Sequence, residues 1–113
     1  MAKSTFKKVA GEVMSNAKKS YNFVKFGHSI KDLRNFNFNK SDIAIVVGGG
    51  PSLKLNNPIK TIKNYQNKSI IIACDGSLYY LLRNNIIPDL TITLDPHPTR
   101  IIRWFGDKKL NKK

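Results

Sequence analysis

Ile43-Ala44-Ile45-Val46-Val47-Gly48-Gly49-Gly50-Pro51-Ser52-Leu53 is the stretch that decides the fold. A short apolar, mostly β-branched run leads straight into three glycines, a proline and a serine. Such a run reads as a strand buried on both faces, the pattern of parallel sheets. Consecutive glycines let the backbone take positive φ and let another group come close to it. A strand that ends in such a loop is a place to hold phosphate or a sugar-nucleotide; with no ligand it is a turn that redirects the chain.

Downstream, the same grammar repeats. Asn57-Pro58 starts a helix, with Asn57 as N-cap, Pro58 at the first helical position, and Ile59, Ile62 and Tyr65 as its apolar side. Ser69 to Cys74 is a second strand, stopped by Asp75-Gly76-Ser77. A helix then carries Leu78, Leu81 and Leu82 to Arg83, and Asn84-Asn85 ends it. Leu90 to Leu94 is a third strand, stopped by Asp95-Pro96-His97-Pro98. Thr99 caps a last short helix holding Ile101, Ile102, Trp104 and Phe105. Strands alternating with helices imply an α/β fold with right-handed crossovers. The expected architecture is a Rossmann-like parallel sheet of about three strands with flanking helices.

Upstream, Ser4 to Val24 reads as an amphipathic helix, with Phe6, Val9, Val13, Ala17, Tyr21 and Val24 recurring on one face and lysines over much of the rest. It is expected to pack on the domain or on a partner. Gly27 breaks it, and a second short helix runs near Ser29 to Asn35. The polar connector to Asp42 holds Phe36 and Phe38, which tuck back onto the domain. The chain thus divides into a helical segment with connector (1–40), an α/β core (41–106) and a basic tail (107–113).

Composition bounds the function. At 113 residues there is one domain at most, and a hydrophobic fraction of 41% fits a globular chain better than disorder. No run is apolar and long enough to span a membrane, which sets membrane partners aside, and the N-terminus lacks the apolar stretch of a signal peptide; the cytoplasm is the expected compartment. A single cysteine excludes an intrachain disulfide and any multi-cysteine zinc site. The net charge of +13 suits anionic partners. No zinc-finger spacing, aromatic RNA-binding signature or helix-turn-helix accompanies it, so a phosphorylated small molecule is expected rather than a specific nucleic acid.

Parallel strands bring their carboxyl ends to one edge, where open α/β sheets bind ligands. Here that edge gathers Gly48, Gly49, Gly50, Pro51 and Ser52 from the first strand, Asp75, Gly76 and Ser77 from the second, and Asp95, Pro96 and His97 from the third. Backbone N–H groups of the glycine loop can bind phosphate oxygens, and Ser52 can donate a hydroxyl hydrogen bond or cap a turn. Asp75 and Asp95 are a carboxylate pair of the kind Mg²⁺ takes together with substrate phosphates. Asp75 serves equally well as a helix N-cap. Asp95 is the less easily explained of the two, because Pro96 has no N–H to offer as a cap partner. His97 fits a phosphate contact, a proton shuttle or a solvated loop residue. Cys74 reads as core, Asp89 as a turn residue at the opposite edge, and Tyr79 and Tyr80 as either pocket or packing. The loop lacks the Lys-Ser or Lys-Thr of a P-loop, and Leu53 stands where a dinucleotide fingerprint has its third glycine.

Val47-Gly48-Gly49-Gly50-Pro51-Ser52-Leu53, Ala73-Cys74-Asp75-Gly76-Ser77 and Ile87-Pro88-Asp89-Leu90 through Leu94-Asp95-Pro96, in that order, resemble the 6-hydroxymethylpterin pyrophosphokinase MptE-like family. Through Gly-Pro-Ser-Leu the chain is also similar to bacterial sialyltransferases and flagellin-glycosylating motility accessory factors. The match covers about Ile43 to Pro98. The resemblance implies a Mg²⁺-dependent transfer of diphosphate from ATP to a hydroxymethylpterin-type substrate, with a glycosyltransferase-like use of a sugar-nucleotide as the alternative. Gly48 to Ser52, with Gly76 and Ser77, would hold the nucleotide; Asp95, Asp75 and His97 would be catalytic, the two aspartates holding the metal. Members of the family continue beyond the third strand. The resemblance therefore also implies an incomplete domain, completed by a homo-oligomer or a complementing chain, or else a non-catalytic binding or assembly module.

Overall fold

A computed structural model describes residues 2–40, 42–95, 97 and 99. The chain divides into two compact units, 1–36 and 37–113. The expected helix beyond Thr99 and the basic tail 107–113 lie outside the described residues.

In the first unit, α1 runs from Ala2 to Val24. Its apolar stripe is solvent-exposed, including Phe6, Met14, Tyr21 and Val24. A 3₁₀ helix, Ile30–Asn35, follows. Ser29 starts it: Ser29 Oγ accepts from Lys31 N at 3.2 Å, and Asp32 Oδ2 accepts from Ser29 N at 2.9 Å. His28 is almost fully exposed. Phe36 is also exposed, whereas Phe38 is half-buried.

The second unit is an α/β fold: β1 Ala44–Val47, α2 Ser52–Leu55, α3 Ile59–Tyr65, β2 Ile70–Cys74, α4 Ser77–Arg83 and β3 Leu90–Ile92. All strands are parallel, in the order β1-β2-β3. The register sets Val47 beside Ala73 and Cys74 beside Ile92. The third strand therefore ends two residues earlier than its apolar pattern suggests, and Leu94 beyond it is 86% exposed. The one-turn helix α2 is absent from the sequence reading, because four residues are too few to show a periodicity.

Successive side chains on a strand face opposite ways. Val47, Ile71 and Ala73 point to one face and form the core with Ile62 of α3, Leu78 and Leu81 of α4, and Ile86. Ile71, Ala73, Leu81 and Ile86 are fully buried. Each large one contributes about 1.5–3 kcal/mol of apolar transfer. The opposite face carries Val46, 64% exposed, with Ile72 and Cys74 half-buried. The expectation of a first strand buried on both faces is thus corrected. Both crossovers contribute their helices to the same core, so a run of β-branched residues is matched by cover on one face only among the described residues.

Two asparagines shape the helix ends differently from expectation. Asn57 is not the N-cap of α3, which starts after Pro58 without a side-chain cap. Asn57 adopts φ of 37°, and its Oδ1 instead accepts a hydrogen bond from Tyr80 Oη at 3.0 Å. Asn85, at φ of 58°, closes α4: Ile86 N donates to Leu81 O and Asn85 N to Leu82 O, a Schellman pattern that seats Ile86 in the core.

At the amino edge of the sheet, Asp89 extends the β2–β3 ladder. Its N–H donates to Ile71 O and its Oδ2 accepts from Ile71 N, both at 2.8 Å. Lys40 Nζ, 2.7 Å from the same Oδ2, also donates to Gln66 O at 2.8 Å. This clamp ties the connector to the sheet, and it places Asp89 at the edge away from the three loops, as its position after Pro88 suggests.

Candidate functional site

The carboxyl edge is built by three chain reversals. β1 ends at Val47, and the glycines carry the chain to α2. β2 ends at Cys74, and Asp75 turns the chain through a left-handed conformation, φ of 47°. That conformation is unfavourable for most residues and is tolerated best by glycine, asparagine and aspartate. Asp75 N donates to Ile92 O at 3.0 Å, while Asp75 Oδ1 accepts from Leu94 N at 3.4 Å. Asp75 is therefore not the helix N-cap that the sequence allows. No side chain caps α4, and the carboxylate is directed to the end of the third strand.

The contact with Leu94 sets the Asp75 carboxyl against the residue that precedes Asp95. Asp95 is half-buried, and its Oδ1 accepts from His97 N at 2.9 Å. His97 Nδ1 lies 2.8 Å from Thr99 Oγ1. Asp75, just after β2, and Asp95, beyond the end of β3, thus share the outlet of adjacent strands. Among the described residues no group of three or more His, Cys, Asp or Glu is placed to hold a metal ion.

Between the first two loops lies an open cleft of about 880 Å³. Gly49, Gly50, Asp75 and Gly76 line it from the loops, and Cys74 from the strand end. Cys74 is consequently half-buried at the cleft floor and not a core residue. Gly48 and Ser52 line a shallower hollow of about 320 Å³ beside β1, with Val46, Leu53 and Ile62. Pro51, Ser77, Asp95 and His97 are not among the described residues that line either one.

Ser77 has a different role from the ligand contact its motif suggests. It is fully buried, its hydroxyl donates to Val47 O, and it accepts from Cys74 N at 2.9 Å. One hydroxyl therefore pins the end of β1 to the end of β2, holding the two loops together. A hydroxyl has a single proton to donate, and here it goes to the backbone.

The glycines also behave unexpectedly. None of them takes positive φ. A Cβ on Gly48 would meet nothing within 4 Å; on Gly49 it would lie 3.7 Å from Ser77 N and 3.9 Å from Gly76; on Gly50, 3.8 Å from Ser52 Oγ. These are open space or ordinary contacts. Neither backbone conformation nor internal packing demands glycine here, although glycine is the most costly residue to order. The bare backbone faces the cleft and the adjoining hollow.

The sequence reading leaves out most of the facing wall. Tyr79, Tyr80 and Arg83 of α4, the C-cap residue Asn84, and Lys54 of α2 line the cleft. Arg83 Nη1 donates to Tyr79 Oη at 3.3 Å, with the guanidinium 5.5 Å from the Tyr79 ring centre. Asn84 Nδ2 donates to Tyr80 O at 2.8 Å. The signal was available: positions 79, 80, 83 and 84 follow i, i+4 spacing, away from the buried Leu78 and Leu81. Tyr79 and Tyr80 resolve as cleft residues, each with its hydroxyl engaged.

In comparisons with known proteins, the family described as 6-hydroxymethylpterin diphosphokinase MptE-like matches residues 13–109. No curated protein and no solved structure matches.

Proposed function

The chain belongs to the 6-hydroxymethylpterin diphosphokinase MptE-like family, and from that premise we propose that it is a nucleotide-binding transferase, moving diphosphate from ATP to a hydroxymethylpterin-type acceptor. The observation that carries this reading is the glycine loop. Three residues that the fold does not need as glycine stand bare, Gly49 and Gly50 in an open cleft and Gly48 in the adjoining hollow. A group approaching from outside is what makes the lack of side chains useful, and phosphate oxygens are the partners that backbone N–H groups take best.

In the proposed reaction the acceptor's hydroxymethyl oxygen attacks the β-phosphorus of ATP. The bond from that phosphorus to the oxygen shared with the α-phosphate breaks, and AMP leaves. The proton of the hydroxyl passes to His97, whose ring is oriented through Thr99. The glycine loop holds the donor phosphates. Asp75 and Asp95 would hold Mg²⁺, which supplies charge neutralisation of the phosphates when bound.

Calorimetry with ATP and Mg²⁺, set against CMP- and UDP-sugars, tests the ligand, and release of AMP in the presence of a hydroxymethylpterin tests the reaction. Selective binding of ATP, weakened in Asp95→Asn, is the expected result. Binding of a sugar-nucleotide in its place transfers the reading to a glycosyltransferase-like protein. If no nucleotide binds and Asp95→Asn changes nothing, both enzyme readings fail and a binding or assembly module is left.

A further inference from the structure

We propose that Lys54 and Arg83 are the specificity-determining residues of the cleft, fixing a di- or triphosphate chain between them. The proposal rests on the reading of this cleft as the ligand site and goes beyond it by assigning residues outside all three strand-end motifs. Among the described residues that line the cleft, Lys54 and Arg83 are the cations and Asp75 is the carboxylate. The described lining therefore carries excess positive charge, and Asp75 is itself engaged with Leu94 N.

Neither cation has a carboxylate within ion-pair distance among the described residues. Their placement follows from the local fold. In the single turn of α2, Leu53 packs against the core while Lys54 faces the cleft. On α4, Leu78 and Leu81 are buried, which leaves Arg83 on the cleft side. Tyr79 supports the guanidinium with its hydroxyl and ring. That support restricts Arg83 while leaving other N–H groups of its planar fork to meet two phosphate oxygens at once. The glycine loop and the two cations line the same cleft, so a chain of linked phosphates can touch backbone N–H groups and both charges. A lone monophosphate has fewer oxygens to share among them.

The test uses the full chain with inorganic triphosphate, inorganic phosphate and ATP as probes, each with and without Mg²⁺, in calorimetry. Arg83→Gln, Lys54→Gln and Arg83→Lys are compared with Lys63→Gln, which removes the same charge from the exposed side of α3, away from the cleft. The expected result is triphosphate binding at least 10-fold tighter than phosphate, weakened about 10-fold or more by Arg83→Gln and by Lys54→Gln, and unchanged by Lys63→Gln. Arg83→Lys is expected to restore only part of the loss. Cleft variants that bind no worse than Lys63→Gln overturn the proposal; if ATP still binds, the nucleotide reading survives that result. Triphosphate binding with the expected dependence, without ATP binding, upholds the proposal and removes the nucleotide reading. No binding of any polyphosphate overturns both.

Discussion

Gly49→Ala separates a glycine kept for a ligand from a glycine kept for the fold. Gly49 has no positive φ, and its new methyl would sit 3.7 Å from Ser77 N and 3.9 Å from the Gly76 backbone, all ordinary van der Waals distances. The folded state therefore has little to lose. The unfolded chain loses freedom, which stabilises the protein by about 0.4–1 kcal/mol. For a domain of this size that raises the melting temperature by roughly 2–6 °C. The methyl is added at a residue that lines the cleft, beside the Gly76 backbone that also lines it, so a group bound closely to the loop backbone has less room. Overpacking of that kind costs about 1–3 kcal/mol, which weakens binding roughly 5- to 150-fold. The assay is paired: thermal melting for stability, calorimetry with ATP and Mg²⁺ for affinity. A variant that is more stable and binds poorly matches the reasoning. A melting temperature several degrees lower shows that the fold itself requires Gly49, and unchanged affinity shows that the loop does not meet the ligand.

Other parts of the structure give further outcomes. Ser77→Ala removes the buried hydroxyl that joins Val47 O to Cys74 N and should destabilise by about 1–3 kcal/mol, read from urea unfolding. Leu81→Ala, at a fully buried position, should cost about 2–5 kcal/mol in the same assay. For Asp89, desolvation by burial opposes the charge. The hydrogen bond from Lys40, the Ile71 N–H and the Lys40 charge outweigh it, so the carboxyl titrates below its ordinary value of 3.8. A lowered folded-state pKa means that its stabilisation is complete above that ordinary value and fades as pH falls through the folded pKa. Asp89→Asn should therefore unfold more easily at pH 7 and lose less further stability on acidification than the parent; parallel acid dependences of the two would refute the clamp. Gly11→Ala, in the open interior of α1, should raise helicity in circular dichroism and leave nucleotide affinity alone.

The alternation of strands and helices was legible because each signal is local. Ile70 to Cys74 and Ile43 to Val47 are β-branched runs bounded by punctuation residues, and in parallel βαβ units that pattern implies strand direction. The gathering of three strand ends at one edge follows from topology alone. Burial did not follow. An apolar run cannot say how many of its faces are covered, and Val46 is exposed because both crossover helices serve the other face. Lys40 escaped notice because its partner, Asp89, is 49 positions away.

By itself the sequence determined the fold class, the edge at which the loops meet and the family, since these depend on the order and spacing of residue types. Tertiary structure alone decided what each polar residue in the loops does. Ser77 looks like a ligand residue and is a buried staple, Asp75 looks like a helix cap and instead joins two strand ends, and Lys54 and Arg83 carry no motif yet share a cleft. The physical reason is that a hydrogen-bonding side chain commits to the partner nearest in space, and in this sheet those partners lie 19 and 30 residues away in sequence. The glycine stretch shows both sides: its composition announces a loop, and only the space around Gly48 and Gly49 shows that the protein's own packing does not demand glycine there.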